Sequence, residues 1–229
     1  MITELTSRKE INETLHRARM TNPIVADIVE HYALHVPKKI AISNVAAELN
    51  STTDLIKSTD TIGFIAGQFA LFGEAFVSNN LDEHTCTWSS FHIQNPQFIS
   101  TTGNVTGKQN FFLHADDRLK KAIKNGQAEN LAPEVISCVK KNKPIPLHDY
   151  YFTAFLNKMH PYDLRGTSQF LPFINKLDEL SYAEAKLLFP TQLKLDRIAN
   201  MIAQWLQVKV YLPLIKLNNI KDIPKIELI

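Results

Sequence analysis

Residues able to bind a metal or move a proton cluster once along this chain, at His84, Cys86 and His92. His84 and Cys86 alternate, so on a strand they would share one face. Three such ligands could hold zinc with a fourth from elsewhere in the fold. Their spacing matches no metal motif, however. The plainer reading is a buried cysteine flanked by two surface or capping histidines. Neither Cys86 nor Cys138 has sequence neighbours that would lower a thiol pKa.

A second candidate is His148-Asp149, with His114 earlier in the chain and Asp163 or Asp196 later. In residue types this set is similar to the metal-dependent phosphohydrolases of the HD superfamily, which are all-helical. The similarity covers two adjacent residues, and Tyr150 and Tyr151 stand where that family has a glycine-containing turn. It implies a phosphohydrolase-like enzyme as an alternative function. An Asp just after Pro144-Ile145-Pro146 is also what a helix start favours electrostatically. His114-Ala115-Asp116-Asp117 likewise reads as a helix entry. Gly103 to Gly107 has too few glycines and no lysine for a phosphate loop. No nucleophile elbow, P-loop or dinucleotide fingerprint occurs. These patterns assign no catalytic residue, no metal ligand and no cofactor.

The elements that would position such residues read as mostly helical. Ser7 or Thr6 can cap a first helix bearing Ile11, Leu15 and Ala18. Asn22-Pro23 starts a second, which stops before Pro37. A third fits Ile40 to Leu49. Helical pattern returns over Ala115–Lys124, from Pro133 to about Lys140, and from Leu147 to Met159. Thr167 or Ser168 caps a helix with Phe170, Phe173, Ile174 and Leu177. Ser181 and Glu184 have capping-box spacing. A last helix runs from Thr191 to Leu212 and ends at Pro213. Between Leu81 and Asn110 the chain is rich in Ser, Thr, Asn and Gln, and Phe91, Ile93, Phe98 and Ile99 fit no helix stripe. Short strands or an ordered irregular loop are expected there.

The apolar run from Thr61 to Val77 holds three of the chain's seven glycines, Gly63, Gly67 and Gly73. Read as one helix capped by Ser58 or Asp60, it puts Ile65, Phe69, Phe72 and Phe76 on one stripe and the small residues opposite. Such a helix is expected to be buried, with another element packed close on its small face. Gln68 and Glu74, and the acidic Asp82-Glu83 flank, argue against a membrane span. The expected fold is therefore a mainly α, multi-helix domain over 1–229, built around a central helix at about 61–77. Its subdivisions are N-terminal helices to 80, an irregular connection over 81–110, C-terminal helices over 111–216 and an extended tail over 217–229.

The bulk numbers fit a globular chain, with 45% hydrophobic residues and a formal net charge of +2. That balance gives no strong nucleic-acid signal. The basic groups at Lys38-Lys39, Lys120-Lys121 and Lys140-Lys141 lie near expected helix ends, leaving a weak nucleic-acid-binding module as a second alternative. Two distant cysteines make no disulfide framework, and the first residues hold no apolar signal core, so the expected compartment is the cytoplasm. In that setting the sequons at Asn50 and Asn104 carry no glycan meaning.

In the tail, Ile220, Ile223, Ile226 and Ile229 recur every three residues. They suit a segment that covers the chain's own surface, docks on a protein partner or adds to a sheet edge. Together with Trp88, Tyr150, Tyr151 and Tyr162 as surface-capable aromatics, they support a non-catalytic interaction or scaffold subunit. Its setting would be as an accessory component of a bacterial multiprotein assembly, with peripheral membrane contact left open.

Overall fold

The apolar run from Thr61 to Val77 is a helix followed by a strand, divided at Gly73. This is seen in a computed structural model that describes residues 8–102, 110–127, 133–147, 152–156 and 168–229. Gly73 takes φ +71°, and its N–H donates to the Phe69 carbonyl at 2.8 Å. Glycine adopts that left-handed cap without a Cβ penalty, which ends the helix at Phe72. The expected helix over 61–77 is thus corrected to 61–72, and Phe76 belongs to a different layer from Phe69.

Among the described residues, the helices in chain order are α1 (Arg8–Thr21), α2 (Pro23–His35), α3 (Asn50–Ser58), α4 (Thr61–Phe72), α5 (Asp117–Lys124), α6 (Pro133–Lys140), α7 (Tyr182–Ala185), α8 (Gln192–Trp205) and α9 (Leu212–Leu217). The strands are β1 (Ile40–Ser43), β2 (Glu74–Asp82), β3 (Thr87–Gln94), β4 (Ile99–Thr102), β5 (Asn110–Leu113), β6 (Ile145–Leu147), β7 (Phe152–Leu156) and β8 (Lys225–Leu228). They form three small antiparallel sheets, ordered β1-β8, β3-β2-β7 and β4-β5-β6. The fold is mixed α/β, which overturns the expectation of a mainly α domain.

Two helices expected from pattern are strands for a shared reason. Ile40 to Ser43 pairs with the tail, Ile42 opposite Ile226, and only Ala47–Leu49 and α3 beyond it are helical. Phe152 to Leu156 pairs with β2, Ala154 opposite Phe76. In both cases a distant strand supplies the ladder that decides the conformation. The short strands expected within 81–110 are present as β3 and β4.

Strand β2 separates two cores because successive side chains point to opposite faces. Ala75 and Val77 join the main core, which gathers α1, α2, α4, α8 and α9. Phe76 points the other way, into a smaller core with Ile99, Phe111 and Phe152. Its ring stacks on Phe152 at 6.0 Å, and Phe111 lies 5.3 Å from Phe152. Glu74, at the start of β2, is buried and accepts a hydrogen bond from Asn12 Nδ2 of α1 at 3.1 Å.

The small face of α4 lies on α2. A Cβ placed on Gly67 would sit 3.4 Å from Val29 Cγ1, and one on Gly63 would sit 2.8 Å from the Ala33 carbonyl oxygen. The close neighbour that the small face requires is therefore α2. Among the described residues no helix is long and apolar enough to cross a membrane.

The long last helix is not uniform. Between α8 and α9, residues Leu206–Tyr211 widen into a π-helical turn, with the Leu212 N–H donating to Gln207 O. Pro213 sits in the first turn of α9 and does not end the helix, which corrects the expected stop. Proline in a regular helix crowds the carbonyl four residues back and gives it no N–H. Here that carbonyl, Lys209 O, is approached by Asn79 Nδ2 of β2 at 3.5 Å. Trp88 Nε1 of β3 donates to Val210 O at 2.9 Å. The wide turn and the sheet side chains together accommodate the proline.

Candidate functional site

The residues with chemical potential do not converge. His84 lies in the turn between β2 and β3, and Cys86 ends that turn with φ +50°. Asp82 Oδ1 accepts from the N–H groups of His84 and Thr85 at 2.9 and 3.3 Å, and these bonds hold its carboxyl below the ordinary value. The expected strand placement of His84 and Cys86 is therefore corrected: Asp82 organises a turn instead. His92 is on β3, bonded to Ser90 Oγ at 3.0 Å. Six extended residues separate it from Cys86, a distance of about 20 Å. Among the described residues no group of three His, Cys, Asp or Glu side chains could share a metal ion.

His148, Asp149 and Asp163 lie outside the described residues, so the phosphohydrolase-like set is not assembled on the page. Asp196 is already engaged, accepting from Lys39 Nζ at 2.9 Å and Gln192 Nε2 at 3.1 Å. Asp116 caps α5 by accepting from the Leu119 N–H at 2.7 Å, and His114 Nε2 pairs with Ser100 Oγ at 2.7 Å. Of the aromatics expected at the surface, Trp88 is buried, which removes it from any interaction argument. Tyr150, Tyr151 and Tyr162 lie outside the described residues.

The four tail isoleucines separate into two environments. Ile220 and Ile226 pack against the main core, while Ile223 and Ile229 are exposed. The Ile229 N–H donates to Lys39 O at 3.0 Å, extending the β1-β8 ladder. The tail thus adds to a sheet edge of its own chain.

A surface that sequence patterns did not reveal forms where α2, α7 and α8 meet. His35 stacks on His31 at 4.2 Å, the His31 ring meets Phe189 edge-on, and Phe189 stacks with Tyr182 at 6.4 Å. Leu34 shares the exposed face of α2 with His31 through its i+3 position. Leu187 and Leu193 flank the ring series at 80% and 78% exposure, so these side chains are almost entirely in water.

The frame beneath them is fixed by polar contacts. Tyr182 OH donates to Asp27 Oδ2 at 2.6 Å, and that bond raises the phenol pKa. Lys194 Nζ donates to Leu187 O at 2.8 Å, and partial burial lowers its pKa. Lys39 links Ile229, through its carbonyl, to Asp196, three residues past Leu193. Partial burial, with His31 and Lys38 nearby, lowers the His35 pKa. Lys38 and Lys186 add exposed charge to the same corner. The signal available in sequence was the pairing of apolar residues with cap positions, Leu187 after the Ser181–Glu184 box and Leu193 after Thr191.

No family model matches the chain, and no curated protein matches it. One solved structure overlaps it, described as "Virion of native gene transfer agent (GTA) particle". That overlap spans 95% of this chain and 83% of the other, with a TM-score of 0.35 and 11% identity. It is too loose to define a shared fold.

Proposed function

We propose that this chain is a non-catalytic interaction or scaffold subunit of a larger protein assembly, acting in the cytoplasm. The observation that carries this reading is the corner at α2, α7 and α8. Large apolar side chains in water at one rigid site are costly unless a partner covers them. Single exposed leucines are ordinary, but here Leu34, Leu187, Leu193 and Tyr182 flank one series of stacked rings. The lysines beside them favour a partner surface that is apolar at its centre and acidic at its rim. Ile223 and Ile229 extend the same role into the tail, with Ile229 tied through Lys39 to the edge of the corner.

The test compares the wild-type chain with Leu187→Ser/Leu193→Ser in cross-linking and recovery from native lysate. Both leucines are exposed, so the variant should melt within a degree or two of wild type. The reading requires a defined protein recovered with wild type and lost with the variant. Equal recovery with both chains would refute the corner as the interaction surface. An Ile223→Ser/Ile229→Ser variant separates the tail's part, because those side chains can change without uncovering β1.

A further inference from the structure

A cavity of about 550 Å³ opens between α1, the connection from β3 to β4 and the start of α5. It shares no residue with the corner at α2, α7 and α8. Its polar lining includes His16, Gln97, His114, Asp116 and Arg118, with Phe98 among its apolar walls. Its volume falls within the range of small-molecule sites.

The polar groups differ in how far they are already committed. Asp116 Oδ1 is taken by the α5 cap, and Gln97 Nε2 donates to Asn12 O at 3.4 Å. Ser100 Oγ holds His114 Nε2, which fixes the ring and leaves Nδ1 without a protein partner among the described residues. Arg118 and His16 make no hydrogen bond or ion pair among the described residues. Two imidazoles and a guanidinium thus line one cavity that holds one partly engaged carboxylate.

These groups surround a volume and do not converge on a point, since no three metal-binding side chains among the described residues come together. The occupant they suit is larger than an ion. A guanidinium presents a planar fork of donors that matches the paired oxygens of a carboxylate or phosphate. Phe98, Leu113 and Leu119 offer apolar contact beside it.

We infer that this cavity binds a small organic oxyanion, with Arg118 clamping the charged group, His114 and His16 donating to it, and Phe98 covering its apolar part. Carboxylate and phosphate share that chemistry, and the probes separate them.

The experiment follows the imidazole resonances of His16 and His114 while the full chain is titrated with phenyl phosphate, benzoate or inorganic phosphate. Saturable shifts of both histidines are expected with phenyl phosphate or benzoate, and the tighter of the two identifies the headgroup. Inorganic phosphate, which lacks the ring, should bind at least several-fold more weakly. Arg118→Ala should weaken the best probe by tenfold or more, and Arg118→Lys should restore part of that loss. The inference is overturned if no probe gives saturable shifts up to millimolar concentration, or if Arg118→Ala binds as wild type does. Leu187→Ser/Leu193→Ser should bind the probe normally, so the outcome is independent of the interaction test.

Discussion

Replacing Gly63 and Gly67 separately by alanine should change stability in opposite directions. Both lie in α4, where alanine is favoured over glycine by about 1 kcal/mol in a helix interior. At Gly67 the new Cβ would meet Val29 Cγ1 at 3.4 Å, Ala33 Cβ at 3.6 Å and Val29 O at 3.8 Å, which is ordinary contact. The propensity gain should survive, making Gly67→Ala neutral or more stable by up to about 1 kcal/mol. At Gly63 the new Cβ would stand 2.6 Å from both Asp60 carboxylate oxygens and 2.8 Å from Ala33 O. The carboxylate can swing aside, but the carbonyl belongs to the backbone of α2. Reaching 3.4 Å from 2.8 Å means moving the two helices apart by about 0.6 Å where they are close-packed. Overpacking of this kind costs about 1–3 kcal/mol, so Gly63→Ala should lose about 1–2 kcal/mol after the propensity gain. For a chain of this length, each kcal/mol moves the melting temperature by about 2–4 °C. Thermal and urea unfolding of the two variants should therefore diverge by several degrees. Equal melting temperatures, or a larger loss at Gly67, would show that the α2–α4 approach is not the contact that limits this face.

Gly67→Leu should cost about 3 kcal/mol by the same crowding, measured as a lower urea midpoint with an unchanged slope. Trp88→Phe removes the bond to Val210 O and should cost about 1–3 kcal/mol in the same assay. Glu184 is held at about 2 by Lys176 and by the Ser181 N–H and hydroxyl. Its contribution is present above its ordinary range and is lost as pH falls from about 4.5 toward 2. The melting difference between wild type and Lys176→Ala should accordingly shrink across that window, and NMR titration should show the Glu184 carboxyl rising in the variant. Tyr32 is pushed up to about 12 by burial, partly offset by Gln169, and burial also raises Tyr211. An unfolded tyrosine ionises first, so each phenol should remove stability as pH rises above 10, by at most about 1.4 kcal/mol per pH unit.

What could be read from the sequence was what is decided locally. Asn22 accepts from the Ile24 N–H ahead of Pro23, Asp116 and Thr191 cap their helices, and Ser181 with Glu184 closes a full capping box. Each of these is settled within a few residues. The strands β1 and β7 were misread because their partners lie far away along the chain. Gly73 was misread because glycine in a left-handed cap and glycine inside a helix leave the same apolar pattern around them. The corner at α2, α7 and α8 was invisible for a third reason. His31, Tyr182 and Phe189 meet through tertiary packing, and no periodicity joins residues that far apart.

The π-helical turn over Leu206–Tyr211 sets the angular phase of everything that follows it. A π turn is equivalent to one residue inserted in an α-helix. Deleting exposed Val208 would let the segment close into regular α-helix, advancing α9 by about 100° and drawing it in by about 1.5 Å. Asn218, whose Nδ2 donates to Cys86 O at 3.0 Å, would then face away from the β2–β3 turn. Strand β8 would leave α9 in the wrong direction to meet β1. One surplus residue buried mid-helix therefore acts as the indexing pin for the distant C-terminal strand, and length in that helix is as constrained as composition is in the core.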